Sequence, residues 1–271
     1  MMTFAKTYLG QHFLHDQKVL QAIVEAADIQ SEDTVVEIGA GKGVLTVALL
    51  QKQAQVYAYE IDRDCFPELE NLVKNYPNLH LIKKSVLTAE SPQADYKVVA
   101  NIPYYLTGTI LRLFLHIFRH QPDLMVLLIQ KEVAKKITSS ETSLLSLAVQ
   151  VYGRAQIIRQ VSKGAFTPPP KVESAIIRLT KHPQPVLHMD AGDFFRFLRP
   201  CFQGSRKQIQ VTIRHQVSLS RDEVIDMLQS LHIDGQTRPS KLSLAQWEQI
   251  VHKFLPYTSW KVTSSPSPKS S

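Results

Sequence analysis

Residues 35–46 read VVEIGAGKGVLT, a β-branched run that stops at Gly39 and passes through Gly41 and Gly43 into a second apolar stretch. Three glycines at alternate positions let the chain turn sharply after a strand and leave main-chain atoms open to a ligand, because no Cβ stands in the way. The pattern predicts a strand over 34–38 and a helix over 44–52. Upstream, Val19, Leu20, Ile23 and Val24 recur at helical spacing, so a helix is predicted over 17–27 with Asp16 as its N-cap. Downstream, strands are predicted over 56–60, 79–83, 97–100 and 125–129, with a helix over 65–75 between the first two. Strands alternating with helices imply right-handed crossovers and a mostly parallel sheet, an α/β fold of the doubly wound, Rossmann-like kind.

After a predicted helix over 144–152, two strand-like runs, 157–161 and 174–179, face each other across a loop rich in Pro, which suits an antiparallel edge on the parallel sheet. Beyond His182 the strand signal ends, and helices are predicted over 193–202, 205–215, 221–231 and 244–255. The expected organisation is a catalytic domain over 1–181, a helical domain over 182–257 and a disordered Ser/Pro-rich tail over 258–271. At 271 residues and 44% hydrophobic composition the chain fills a real core, which excludes fibrous and wholly disordered readings. Lys+Arg of 31 against Asp+Glu of 24, a formal net charge of +7, favours a polyanionic partner. The two cysteines, Cys65 and Cys201, are far apart and outside any metal-ligand spacing, so neither a disulfide framework nor a metal site is indicated and both read as bystander thiols. With no secretory leader and no run near the roughly 20 apolar residues of a membrane span, the expected compartment is the cytoplasm, with no membrane partner.

The chemistry starts from Glu60, 21 residues beyond Gly39 at the end of the next strand. A carboxylate there suits the two hydroxyls of a ribose, so adenosine-containing cofactors lead. A dinucleotide fingerprint needs its third glycine where this chain has Val44, and no GxxxxGK[ST] cradles phosphates. An acidic residue two before the first glycine, Glu37, suits S-adenosyl-L-methionine instead, orienting the loop or the amino end of the methionine moiety. The class of reaction is carried by Asn101, Ile102, Pro103 and Tyr104 at the carboxyl end of the fourth strand. Methylating an adenine N6 amine requires acceptors for its hydrogens, because its lone pair is delocalised into the ring. The Asn101 side-chain oxygen and the Ile102 or Pro103 carbonyl supply two, and Tyr104 offers a stacking face for a flipped base.

The sequence resembles the small-subunit ribosomal RNA dimethyladenosine transferases, the kasugamycin-resistance family. The resemblance runs in order through LGQHFLHD (9–16), VVEIGAGKG, YEIDRD (59–64), NIPYYLTGTIL (101–111), IQKEVAKKI (129–137), FTPPPKVESAIIRL (166–179) and the looser CFQGSRKQI (201–209). It implies a class I S-adenosylmethionine-dependent methyltransferase that dimethylates two adjacent adenosines near the 3′ end of small-subunit rRNA, in the assembling 30S particle. It implies cofactor contacts at His12, Leu14, Gly39, Glu60 and Asn101; Glu37, Gly41, Ile61 and Ser85 complete the candidate set. It also implies Phe166 as an aromatic facing the target adenine opposite Tyr104. His12 stands where the family more often has Asn, and Ser85 where it usually has Asp. Lys163, Lys171, Arg206 and Lys207 are the candidate RNA-binding residues, with Arg178, Arg214, Lys131, Lys135 and Lys136 beside them. A monomer is expected. Within the enzyme class the competitor is the macrolide-resistance group acting on large-subunit rRNA, which usually has Lys between the later prolines; a DNA adenine methyltransferase would carry an acidic residue at 101. Outside it stands a ribosome assembly factor with weak or no catalysis, and more distantly a nicotinamide oxidoreductase.

Overall fold

The computed structural model describes residues 11–92, 95–204 and 206–262. Leu9, Gly10 and Ser205 of the quoted blocks, and 263–271 of the expected tail, lie outside the described residues. Two compact units emerge, one running through Thr138 and again over Tyr152–Pro183, the other made of Ser139–Val151 and the chain from Gln184 onward.

In the first unit, β1 (Phe13–Leu14) precedes α1 (Gln17–Ala27), whose N-cap Asp16 accepts from the N–H groups of Lys18 and Val19. There follow β2 (Thr34–Ile38), α2 (Val44–Leu50), β3 (Gln55–Tyr59), α3 (Phe66–Asn75), β4 (Leu79–Ile82), β5 (Tyr96–Asn101), α4 (Thr107–Arg112), β6 (Leu124–Gln130) and α5 (Lys131–Thr138). After α6 (Leu144–Tyr152) the sheet is completed by β7 (Gly153–Val161) and β9 (Ser174–Lys181), while the two-residue β8 (Phe166–Thr167) between them pairs with β1 in a separate antiparallel ladder. The seven-stranded sheet has the order β4-β3-β2-β5-β6-β9-β7, parallel through β6, with β9 antiparallel to both of its neighbours. The expected antiparallel pair is present at the edge, and the later strand, β9, lies inside while β7 is outermost. Residues 124–129 of β6 are all buried, as a central strand covered on both faces requires.

Strand order reverses at β2, flanked by β3 on one side and β5 on the other, and the crevice beyond the carboxyl ends of such a pair is where open α/β sheets take ligands. Ile38 lies opposite Ala100 in the ladder, so Gly39 and Asn101 leave the sheet side by side.

The second unit holds α6, α7 (Ala191–Gln203), α8 (Ile209–Arg214), α9 (Arg221–Ser230), α10 (Leu244–Phe254) and α11 (Ser259–Val262) around buried Phe194, Phe197, Leu228, Trp247 and Phe254. Serine capping boxes start α9 (Ser220, Glu223) and α10 (Ser243, Gln246), each satisfying N–H groups the first turn leaves unpaired. Three expectations change here. Helix α6 groups with this unit, because its Leu147 is fully buried in this core and Leu144 and Val151 pack against it. The helix expected over 205–215 starts only at Ile209. The tail does not begin at 258: Thr258 bridges Val217, and Trp260 carries α11 into the core, its ring meeting Phe197 edge-on and lying under the Arg196 guanidinium. Among the described residues no helix is long and apolar enough to cross a membrane.

Candidate active site

The turn after β2 holds Gly39, Gly41 and Gly43 at positive φ, of +74°, +55° and +80°, backbone that side-chain-bearing residues rarely adopt. The Gly39 N–H donates to the Tyr59 carbonyl at 2.8 Å. Space is tight as well: a Cβ on Gly41 would come within 3.3 Å of the Phe13 ring. Glu60 fastens this turn to the next strand end. Its carboxylate accepts from the N–H groups of Gly41 (2.7 Å), Ile61 (2.7 Å) and Asp62 (2.8 Å).

Together these strand ends line one cleft, open to solvent, at the place where such sheets take ligands. Of the residues singled out in the sequence, His12, Gly39, Gly41, Glu60, Ile61, Ser85, Asn101, Pro103 and Tyr104 line it. Asn101 Nδ2 donates to the His12 carbonyl at 3.1 Å, which fixes the amide and leaves Oδ1 as its acceptor. The His12 ring shares a 2.8 Å hydrogen bond through Nδ1 with the Pro168 carbonyl and stacks on Tyr104 with centroids 5.8 Å apart. The Tyr104 hydroxyl shares a 2.6 Å hydrogen bond with Ser174 Oγ, and burial raises its phenol above the usual 10 while that bond opposes the rise. Ser85 Oγ accepts from the Leu87 N–H at 3.2 Å, capping a 3-10 turn.

Three candidates do not line the cleft. Leu14 and Phe166 face each other across the β1–β8 ladder, and both side chains belong to the hydrophobic core, Phe166 being only 2% exposed. Phe166 is therefore a packing residue in this structure, not a wall of the cleft. Glu37 is 1% exposed within β2, and neither carboxylate oxygen has a hydrogen-bond partner. Burial pushes its pKa from 4.5 to about 8; the Thr46 hydroxyl opposes this and the Glu60 charge adds to it.

A stability prediction follows for Glu37. Below pH 4.5 the carboxyl is protonated in folded and unfolded chains alike; as pH rises the unfolded chain ionises first, so stability falls until pH passes about 8. The full span amounts to on the order of 5 kcal/mol. Glu37→Gln is expected to melt close to wild type at pH 5 and clearly above it at pH 9, as read by thermal denaturation. Equal melting shifts at both pH values would show that Glu37 does not titrate in this range.

The sequence reading missed Gln11, Phe13, Lys84, Val86, Tyr105 and Leu106, which also line the cleft. Gln11 Nε2 donates to Asp62 Oδ2 at 2.6 Å, and Phe13 sits under the Lys42 ammonium. Their signal was adjacency in the chain: Gln11 and Phe13 flank His12, Lys84 and Val86 flank Ser85, and Tyr105 and Leu106 follow Tyr104. Among the lysines, Lys163, Lys171 and Lys131 line a separate surface groove of the first unit, where Lys131 pairs with Glu173 at 2.6 Å. Arg206, Lys207 and Arg214 belong to the second unit. Burial pushes the Cys65 thiol up to about 12 and the Cys201 thiol to about 11, so neither is a thiolate at neutral pH. Among the described residues no cluster of His, Cys, Asp and Glu is arranged to hold a metal.

A sequence model described as "Ribosomal RNA adenine dimethylase" matches residues 2–255. The chain is 37% identical over 258 residues to "Ribosomal RNA small subunit methyltransferase A" of Dehalococcoides mccartyi, covering 92% of this chain and 88% of the relative. It is 36% identical over 261 residues to the protein of the same name from Alkaliphilus metalliredigens, covering 91% and 90%. Among solved structures it is similar to a dimethyladenosine transferase from Plasmodium falciparum (TM-score 0.77, 26% identity, 88% of this chain and 96% of that one). It is also similar to the 23S rRNA methyltransferase ErmE (TM-score 0.72, 27% identity, 89% and 99%).

Proposed function

Since the chain belongs to the ribosomal RNA adenine dimethylase family, we propose roles for the residues of the cleft in S-adenosylmethionine-dependent dimethylation of adenine N6 amines. The protein is a small-subunit rRNA adenine dimethyltransferase: its identity to the small-subunit enzymes reaches 37%, against 27% to the large-subunit enzyme ErmE.

The observation that carries the residue roles is the register of β2 and β5, which sets the glycine turn beside Asn101 at one strand-end crevice. The residues fit the cofactor. Glu60 offers a carboxylate for ribose hydroxyls beside its three N–H bonds, Ile61 an exposed apolar side chain for a ring face, Ser85 a hydroxyl, and Gly39 an approach to the main chain. Bound there, S-adenosylmethionine supplies an electrophilic methyl group. Asn101 Oδ1 accepts one hydrogen of the adenine amine. The Pro103 carbonyl already accepts from the Leu106 N–H at 2.9 Å, which favours the Ile102 carbonyl as the second acceptor. With both hydrogens held, the nitrogen lone pair is directed at the methyl without a strong base, and a proton leaves to solvent after transfer. Tyr104, fixed by Ser174, presents its ring to the flipped base, and His12 holds that ring and the Asn101 amide in place. Lys163, Lys171, Arg206 and Lys207 are assigned to RNA phosphates. The particle acted on is the assembling 30S subunit, the compartment the cytoplasm and the working form a monomer.

The test is to incubate the protein with S-adenosylmethionine and small subunits lacking adenine dimethylation, and to quantify N6,N6-dimethyladenosine in digested rRNA by mass spectrometry. Its appearance is the expected result. Binding without methyl transfer would turn the assignment toward an assembly factor; methylation of large-subunit rRNA alone would overturn the choice of substrate.

A further inference from the structure

Tyr104 and Tyr105 are consecutive residues of one 3-10 turn, Tyr104–Leu106, and the structure treats them oppositely. Tyr104 is half-buried, stacked on His12 and bonded to Ser174. Tyr105 lines the same cleft yet is 62% exposed, and among the described residues no hydrogen bond or ring contact holds it. A large aromatic ring left free at the rim of a substrate cleft is a ready stacking surface, and nucleic-acid bases are the ligands that use one without needing a hydrogen-bond code.

The topology decides between cofactor and substrate. Along the carboxyl edge of the sheet the cleft residues follow the strand order: Ser85 after β4, Glu60 and Ile61 after β3, Gly39 after β2, then Asn101 and the Tyr104–Leu106 turn after β5. The groups assigned to ribose and adenine of the cofactor therefore lie on the far side of Gly39 from Tyr105. Beyond Asn101 lies the side from which the substrate amine must arrive.

We propose that Tyr105 stacks on the base next to the flipped adenosine and so positions the RNA while one adenosine occupies the cleft. This rests on the rRNA adenine reading above and deepens it: when two neighbouring adenosines take turns in one cleft, the idle one needs a place outside the stack. Tyr105 is a positioning residue in this account, not a catalytic one.

The experiment compares wild type, Tyr105→Ala and Tyr105→Phe on undermethylated small subunits, with S-adenosylmethionine binding measured separately by calorimetry. Losing one base–aromatic stack is expected to lower kcat/KM for subunits roughly 5- to 100-fold in Tyr105→Ala, mostly through KM. Tyr105→Phe should stay within about twofold, since the ring and not the hydroxyl does the stacking. The Ala product should be enriched in rRNA modified at only one adenosine, and its cofactor affinity should match wild type. Unchanged kcat/KM and product mix in Tyr105→Ala would overturn the proposal, as would a weakened cofactor affinity, which would move Tyr105 to the cofactor. Wild-type protein that methylates no small-subunit rRNA would instead overturn the underlying reading, so the two failures are told apart.

Discussion

Asn101→Ala is expected to lower turnover by about 10²- to 10³-fold, the usual loss when one preorganised hydrogen-bonding group at a reacting centre is removed. The structure makes Asn101 answerable for two things at once. Its Nδ2 is committed to the His12 carbonyl, which aims Oδ1, and that oxygen is the acceptor for the adenine amine. The two roles separate in the kinetics. An effect on the reacting amine lowers kcat while leaving S-adenosylmethionine affinity within a few-fold of wild type. An effect confined to tethering His12 would appear as lost cofactor affinity, with turnover recovering at saturation. Single-turnover methyl transfer beside calorimetric cofactor binding distinguishes them, and recovery at saturation would remove Asn101 from the chemistry.

Glu60→Ala is expected to do the greatest damage to stability in the cleft. The carboxylate is 6% exposed and takes three backbone N–H groups from two successive strand-end turns. Each donor left buried without a partner costs roughly 1–3 kcal/mol. Water entering from the cleft relieves part of this, so the low end, about 3 kcal/mol in total, is the expected loss. For a protein of this size that corresponds to a melting-temperature drop on the order of 6–12 °C. Gly41 would also lose the bond that holds it in the turn, so cofactor affinity should fall together with stability. A Glu60→Ala protein that melts like wild type and binds cofactor normally would show that the glycine turn stands without this carboxylate.

What the sequence made legible was local. The run 34–38 and its glycines announce a strand that turns at once, and Asn101 to Tyr104 follow an apolar strand, so both halves of the crevice could be read from neighbours in the chain. What escaped depended on partners far away. Leu14 and Phe166 are 152 residues apart and meet only in the β1–β8 ladder, which carries Leu14 into the core two residues after His12 has lined the cleft. Glu37 carries the motif's acid, but a strand inside a covered sheet has no solvent face, so the side chain is buried whichever way it points. The return loop before β9 announced a hairpin without saying which strand would be outermost. Trp260, in a stretch whose composition reads as a tail, is held by Phe197 and Arg196 of a helix more than 60 residues earlier.

The placement of α6 bears on the order in which the chain is made. The second unit begins at Ser139, stops at Val151 and resumes at Gln184, so the polypeptide passes between the units three times. During synthesis the apolar side of α6, with Leu144, Leu147 and Val151, leaves the ribosome before β7 and β9 and well before any of the helices that will cover it. The sheet can close first, over a nascent chain that carries one uncovered helix in its middle. A product ending at Pro183 would keep every described strand and the whole crevice, yet retain that bare helix for its lifetime. The catalytic unit is thus complete in its residues earlier than in its solubility, and shortening the gene to the sheet alone would trade the missing helices for self-association.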